Sequence, residues 1–303
     1  MLLARAAAAG ATELRCCMVL GRIFRPTNRR VRLLVGLFLA GLFCIQCTTP
    51  TSATRESSLA TALEGEIVGR NAPAVLAKVD RLARKDHIAL LEFCLANYSG
   101  RIRDYTCTFE KQEMLHGRLG KLQTIQVKFK ESPFSVVLAW VKNAPQGDRV
   151  LYVEGLRDNQ MIVRPTNGFL RSLTGGSVLR EPDGAEAMQS TLRPVNMFGF
   201  KRGLENLLEV YRAARDHGEL REEFGGYYDV EGRKTVKLVR YLPATRDYPA
   251  WRTDVYIDLE YLLPVRIEGY NWDKKLSSSY TYRDVKFNIG LTDDDFLPEQ
   301  NDL

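Results

Sequence analysis

The sequence predicts an α+β protein built on one large antiparallel sheet. Across residues 104–154, apolar side chains recur mostly at every second position, in runs of strand length separated by Gly, Pro and Asn. This pattern is typical of an antiparallel meander. A second set of such runs begins near residue 226. Amphipathic helical segments precede the first set and separate it from the second, so helices and strands are grouped as in α+β proteins.

The helical segments are identified by their caps and their apolar stripes. Asn71 is a plausible N-cap for a first helix with Pro73 in its first turn. Asp86 caps a second helix, which ends at Gly100. Residues 203–217 form a third amphipathic helix. Short amphipathic helices cannot bury their apolar stripes alone, so we expect them to pack on the sheet.

The predicted strands fall into two groups. The first comprises residues 105–115, 122–130, 134–141, 149–153 and 160–163, and the second comprises residues 226–230, 234–241, 251–258, 265–272 and 279–288. Residues 134–141 are apolar on both faces, so this strand should be covered by helices on one face and by another element on the other. After the last strand, Thr292 is placed to cap a single turn that begins at Asp293.

Residues 165–201 interrupt the strand pattern. They contain several glycines and prolines and no sustained periodicity. A connection of this length within a compact domain is usually functional or mobile. The sequence therefore predicts one domain over residues 71–303 with a long inserted loop at 165–201.

Residues 1–53 have the organisation of a secretory leader. Three arginines precede an apolar run at residues 33–46, and polar residues follow that run. A spanning helix needs roughly 20 apolar residues, more than this run supplies. Export with cleavage after Ala53 is the first interpretation, while acylation of Cys47 and an uncleaved membrane anchor stay open, as does translation from Met18. Residues 54–70 form a polar linker, and the predicted location is the periplasm or cell envelope.

The charge distribution argues against a nucleic-acid partner. The net charge is +6, but residues 1–53 hold seven arginines and a single acidic residue. The remaining residues carry equal numbers of basic and acidic side chains. A neutral domain with mixed signs offers no electrostatic footprint for a polyanion.

No motif in the sequence indicates catalysis or a cofactor. There is no Gly-rich phosphate loop, and the three histidines, which we expect to be solvated or capping, do not have zinc-ligand spacing. Beyond the leader only Cys94 and Cys107 remain, and their periodicity places both toward the core as either two buried thiols or a disulfide. The sequence therefore predicts no metal, no cofactor and no enzymatic activity. A secreted hydrolase with catalytic residues far apart along the chain stays as an alternative.

Several segments resemble the bacterial domain of unknown function 1571. They are residues 105–109, the pair Lys111 and Glu113, residues 133–136 and residues 150–155. Residues 257–258, 263–268, 282–285 and 291–296 resemble the wider lipoprotein-carrier superfamily. The resemblance covers about residue 90 to the C-terminus. It implies an incomplete β-barrel, in which one antiparallel sheet curves around helices and its apolar concave face receives acyl chains.

The most apolar strands supply a candidate groove for such a ligand. Its predicted residues are Ile125, Val127, Phe129, Phe134, Val136, Leu138, Trp140 and Tyr152. Trp140 and Tyr152 are expected at the rim, since each carries one polar group. The same residues would also serve as ordinary core beneath the helices. We expect an exported, non-enzymatic envelope protein that binds a lipid, an acyl chain, or a lipidated or unfolded protein segment; the alternative is an interaction module that binds partners through residues 165–201.

Overall fold

The computed structural model describes residues 72–303. The leader, the linker, Cys47 and the predicted cap Asn71 lie outside the described residues. Within residues 72–303, no helix has the length and apolar character needed to cross a membrane.

Twelve strands form one sheet in which every pairing is antiparallel. In chain order they are β1 Asp104–Leu115, β2 Arg118–Leu119, β3 Gln123–Lys130, β4 Ser135–Lys142, β5 Gly147–Val153, β6 Met161–Pro165, β7 Val178–Arg180, β8 Arg221–Val230, β9 Arg233–Tyr241, β10 Arg252–Asp258, β11 Pro264–Tyr270 and β12 Leu276–Phe287. The order across the sheet is β7-β6-β5-β4-β3-β1-β12-β11-β10-β9-β8, with β2 paired only to β1. The edge strands β7 and β8 do not pair with each other, so the sheet is open and the predicted fold class is confirmed.

Five α-helices accompany the sheet in the described part of the chain. They are α1 Pro73–Lys85, α2 His87–Tyr98, α3 Gly168–Leu173, α4 Ala185–Met188 and α5 Phe200–Asp216. The cap of α2 is as predicted, because the Asp86 carboxylate accepts a 3.0 Å hydrogen bond from the Ala89 N–H. Helix α1 begins directly at Pro73, where the missing N–H of proline costs nothing.

The main apolar core lies on one face of the sheet, which we call the inner face. Helices α1, α2 and α5 contribute Val79, Leu91, Cys94, Leu204 and Leu208 to this core, among others. The helices pack on the face where the alternation of the strands places apolar side chains.

A smaller core lies on the opposite, outer face. Val137, Leu151 and Ile162 pack there against Phe296 of the C-terminal segment. Lys128 holds this segment through a 3.1 Å hydrogen bond from its Nζ to Asn301 Oδ1. Strand β4 is therefore covered on both faces, as its apolar sequence predicted: the helices and their core lie on one side, and the C-terminal residues on the other.

The segment 165–201 is more ordered than the sequence predicted. It contains α3, α4 and the short strand β7, which extends the sheet by pairing Leu179 with Ile162. A three-residue strand is too short to show alternation, so the sequence pattern could not reveal it. Strand β8 begins at Arg221, five residues before the predicted start at residue 226. The sequence pattern missed these residues because a bulge between Phe224 and Gly226 interrupts the alternation.

Candidate functional site

A cavity of about 230 Å³ lies between the inner face of the sheet and residues 165–201, which we call the cover segment. Its floor includes Phe109, Ile125, Leu138, Trp140, Val150 and Val163. Its roof includes Leu170, Val178, Pro182, Ala187, Val195 and Phe198 of the cover segment. The lining is therefore apolar on both sides.

Strand register explains why the floor residues share one face. Phe109 of β1 lies opposite Ile125 of β3, and Ile125 lies opposite Trp140 of β4. Leu138 of β4 is in turn the partner of Val150 on β5. Cross-strand partners project to the same side of a sheet, so these pairs together form one continuous apolar surface.

Three kinds of contact attach the cover segment to the sheet. Strand β7 forms backbone pairs with β6. The Phe198 ring packs edge-on against the Phe109 ring with centroids 5.2 Å apart. Lys111 Nζ donates a 3.0 Å hydrogen bond to Thr191 Oγ1. The roof is thus held by short strand pairing together with aromatic and polar contacts, of which these two lie at the cavity.

One end of the cavity is polar. Lys111 and Glu113 of β1 and Tyr280 of β12 all line it, and Lys111 Nζ lies 3.2 Å from Glu113 Oε2. The Tyr280 hydroxyl donates a 2.7 Å hydrogen bond to Glu113 Oε1. Burial, together with the Glu113 carboxylate, raises the pKa of Tyr280, so the phenol keeps the proton that it donates.

The structure divides the eight predicted groove residues into two sets. Ile125, Leu138 and Trp140 line the cavity. Val127, Phe129, Phe134, Val136 and Tyr152 are buried in the main core and do not line it. Tyr152, predicted at the rim, packs instead against Phe134 with ring centroids 5.8 Å apart. Trp140 does lie at the cavity, where its indole N–H donates to Gln123 Oε1 at 2.7 Å.

Sequence reasoning did not place Lys111 and Glu113 in the site. The signal was their position on β1, because both share the face of Phe109 and so project a charge pair into an apolar interior. Glu110, on the other face of β1, instead accepts a 3.0 Å hydrogen bond from Arg283.

The two cysteines are free, buried thiols and form no disulfide in the structure. Burial raises the pKa of Cys94 to about 12, so its thiolate is scarce at neutral pH. Of the two roles expected for His87, the solvated one is wrong because the residue is buried; its Nε2 contacts the carbonyl of Ala83, in the last turn of α1, at 2.9 Å. Packing of α2 against α5 encloses the imidazole, which its position at a helix start did not reveal. Among residues 72–303, no three His, Cys, Asp or Glu side chains are grouped as metal ligands.

The described residues form an α+β protein in which an open antiparallel sheet carries helices and an apolar cavity on one face. The profile of the family described as protein of unknown function (DUF1571) matches residues 102–303, and the chain belongs to that family. The family resemblance of the sequence is thereby confirmed. Comparison with curated protein sequences gives no match.

Solved structures show similarities of fold at low sequence identity. MucB of Pseudomonas aeruginosa, in its complex with MucA, is 14% identical over 70% of this chain and 60% of that chain, with a TM-score of 0.42. The lipoprotein LppX of Mycobacterium tuberculosis is 17% identical over 67% and 97%, with a TM-score of 0.39. A LolA-superfamily protein of Nitrosomonas europaea is 10% identical over 70% and 97%, with a TM-score of 0.30. This chain spans about 60% of the MucB chain.

Proposed function

We propose that this chain is an exported cell-envelope protein that binds an apolar ligand in the cavity under the cover segment. The ligand class is a lipid, an acyl chain, or a lipidated segment of another protein. The observation that carries the proposal is the apolar cavity of about 230 Å³ between floor and roof. A dry cavity of about 150 Å³ already suffices to take up benzene. A space of this size therefore has room for a stretch of acyl chain.

The difference in packing between the core and the cavity supports this proposal. Side chains of the same strands pack tightly elsewhere on the inner face, with Tyr105 stacked on Phe129 at 4.6 Å. Around the cavity, the floor residues border open space on the side of the cover segment, so on that side they lose dispersion contacts. An apolar ligand would restore those contacts. Export rests on the order of the leader, in which arginines precede a short apolar run and a polar region.

Native mass spectrometry of the protein expressed from its full-length sequence tests the proposal. We expect a mass excess that organic extraction removes. Leu138→Phe places extra volume in the cavity, so it should reduce the fraction of protein carrying that mass. Val141→Phe adds a larger side chain on the same strand at a position that is 61% exposed, and should leave the fraction unchanged. Protein that never carries an amphiphile and does not bind added dodecan-1-ol would contradict the proposal.

A second candidate function is an interaction module that acts through the cover segment. The observation in its favour is α3, where Phe169 and Leu173 are 79% and 73% exposed. Deletion of the segment is a poor test, because Phe198 packs in the core against Phe109. A Phe169→Ser/Leu173→Ser variant keeps those core contacts. It should melt like the wild type and lose a partner captured by the wild type; equal capture by both proteins would contradict this function.

The polar end of the cavity supports binding better than hydrolysis. Lys111 and Glu113 neutralise each other, and the Thr191 hydroxyl accepts from Lys111 while it contacts the Arg193 carbonyl at 3.0 Å. Lys111 is therefore placed as a donor to Thr191 and not as its general base. The arrangement fits recognition of a ligand more closely than activation of a nucleophile.

A further inference from the structure

We propose that the cavity selects amphiphiles whose head group is uncharged and both donates and accepts hydrogen bonds, such as a hydroxyl or a primary amide. Lys111 and Glu113 would hold this head group at the polar end while the apolar floor holds the chain. The inference rests on the proposed function and specifies the chemistry of its ligand.

Lys111 supplies a donor for the head group. An ammonium group has three N–H donors. Lys111 Nζ uses one toward Thr191 Oγ1 at 3.0 Å and faces Glu113 Oε2 at 3.2 Å. The remaining N–H belongs to a buried side chain that lines the cavity, so a ligand acceptor at this end completes its hydrogen bonding.

Glu113 supplies the matching acceptor. Its side chain is 2% exposed, and its Oε1 accepts the hydrogen bond from the Tyr280 hydroxyl. Its Oε2 has no hydrogen-bond partner among the described residues, although the Lys111 ammonium lies nearby. A buried carboxylate oxygen without a hydrogen bond is costly, and a ligand N–H or O–H would satisfy it.

The paired charges of Lys111 and Glu113 disfavour the binding of a charged head group. An ionised carboxylate would meet the Glu113 carboxylate, and an ammonium head would meet Lys111 at the same short range. Either ion would also leave water for an apolar cavity without a free counter-charge. Arg193 also lines the cavity, and its guanidinium carbon lies 5.6 Å from the centre of the Tyr280 ring, but the residue is exposed and its guanidinium donates to Asn206 Oδ1 at 2.9 Å. Solvent therefore screens its attraction for an anion.

Calorimetric titration with four dodecyl probes tests the inference, at a mildly alkaline pH where dodecanoate is ionised. The probes are dodecanamide, dodecan-1-ol, dodecanoate and dodecylammonium, which share one chain and differ in the head group. The wild type should bind the two neutral probes about tenfold more tightly than either ion, the expected effect of one lost hydrogen bond or one unpaired charge. Equal or tighter binding of dodecanoate or dodecylammonium would overturn the inference and leave the proposed function intact. Failure of all four probes to bind would instead overturn the proposed function.

Single substitutions should reverse the order of the probes. Glu113→Gln leaves Lys111 without its counter-charge, so dodecanoate should become the preferred ligand. Lys111→Met leaves Glu113 unpaired, so dodecylammonium should become preferred. The double variant Lys111→Met/Glu113→Gln buries neither of these charges, which protects its fold. It should still bind the two neutral probes, but their tenfold advantage over the two ions should decline toward parity. A folded double variant that keeps the wild-type order of the four probes would overturn the roles given to these two residues.

Discussion

The two ends of the inner face are built from the same strands but are covered differently. At one end, Phe129 of β3 is stacked on Tyr105 and meets Phe134 edge-on at 5.3 Å. At the other end of β3, Ile125 forms part of the cavity floor together with Trp140. Side chains at both ends are apolar and lie on the same face. What differs is the covering element.

Helix α5 and its first residues close the packed end with large rings. Phe200, at the start of α5, lies 5.2 Å from the ring of Tyr105. The cover segment roofs the other end with α3, β7 and α4, which are too short to supply a continuous apolar stripe. A cavity therefore forms where short elements replace a long helix, and apolar strand sequence alone does not distinguish core from site.

Truncation of an aromatic ring at each end tests the difference in packing most directly. Phe129→Ala removes a ring from the packed end and should lower the free energy of unfolding by about 3–5 kcal/mol. Trp140→Ala should cost less, because its ring already borders empty space. Urea unfolding of both variants gives the two values, and equal losses would mean that the cavity end is packed as tightly as the other.

Neutralisation of Glu113 should show that the polar end of the cavity is shielded from water. Glu113→Gln leaves Lys111 buried without its partner, and loss of one member of a buried ion pair typically costs about 3–5 kcal/mol. Glu92→Gln, the control, removes an exposed ion pair with Arg212 and should cost less than about 1 kcal/mol. Chemical unfolding measures both changes, and similar small losses would indicate that water fills the polar end.

Acidification should weaken the packing of α2 against α5 through His87, whose ring lies 6.1 Å from that of Tyr211. Burial lowers the pKa of His87 from 6.5 to about 4, while the hydrogen bond to Ala83 opposes that shift. As the pH falls from about 6.5 to about 4, His87 takes up a proton in the unfolded chain but not in the folded one. The folded state therefore loses stability across this window, by about 3 kcal/mol in total, and His87 adds no further loss below it.

Unfolding free energies of the wild type and His87→Gln between pH 7 and about pH 4 test this prediction. Burial also raises the pKa of Glu222, whose Oε1 lies 3.7 Å from His87 Nδ1, so its protonation acts in the opposite direction. The difference between the two proteins isolates the histidine contribution. His217→Gln, at an exposed position, should follow the wild-type curve. A His87→Gln curve parallel to that of the wild type would contradict the prediction.

Two glycines at the junction of the cover segment and α5 should give the smallest and opposite effects. Gly199 has φ +104°, and a Cβ there would lie 3.0 Å from the Phe129 ring and 3.2 Å from the Tyr105 hydroxyl. Gly199→Ala should therefore destabilise the protein by about 2 kcal/mol. Gly203, inside α5, has open space at its Cβ position, so Gly203→Ala should stabilise it by about 0.5–1 kcal/mol. Thermal unfolding measures both signs, and stabilisation by Gly199→Ala would show that the junction is not closely packed.

The amino-acid sequence was sufficient to predict the antiparallel strands, the three longer helices and the cover on both faces of β4. Alternation and helical periodicity are local properties, so they can be read along the chain without knowledge of the partners. The cap at Asp86 and the turn at Thr292 follow from equally local hydrogen bonds. The same local rules missed β7 and the start of β8, where strands are too short or interrupted by a bulge.

Which apolar residues belong to the core and which face a cavity depends on tertiary contacts. Val136 and Trp140 belong to one face of one strand, and nothing in their spacing tells that Val136 is packed in the core while the cover segment roofs Trp140. The buried pair of Lys111 and Glu113 likewise depends on residues far along the chain, because Tyr280 donates a hydrogen bond to Glu113 and Thr191 accepts one from Lys111. Contacts between distant segments determine the free volume and the unsatisfied hydrogen bonds of a site, and these are the quantities that local sequence patterns do not contain.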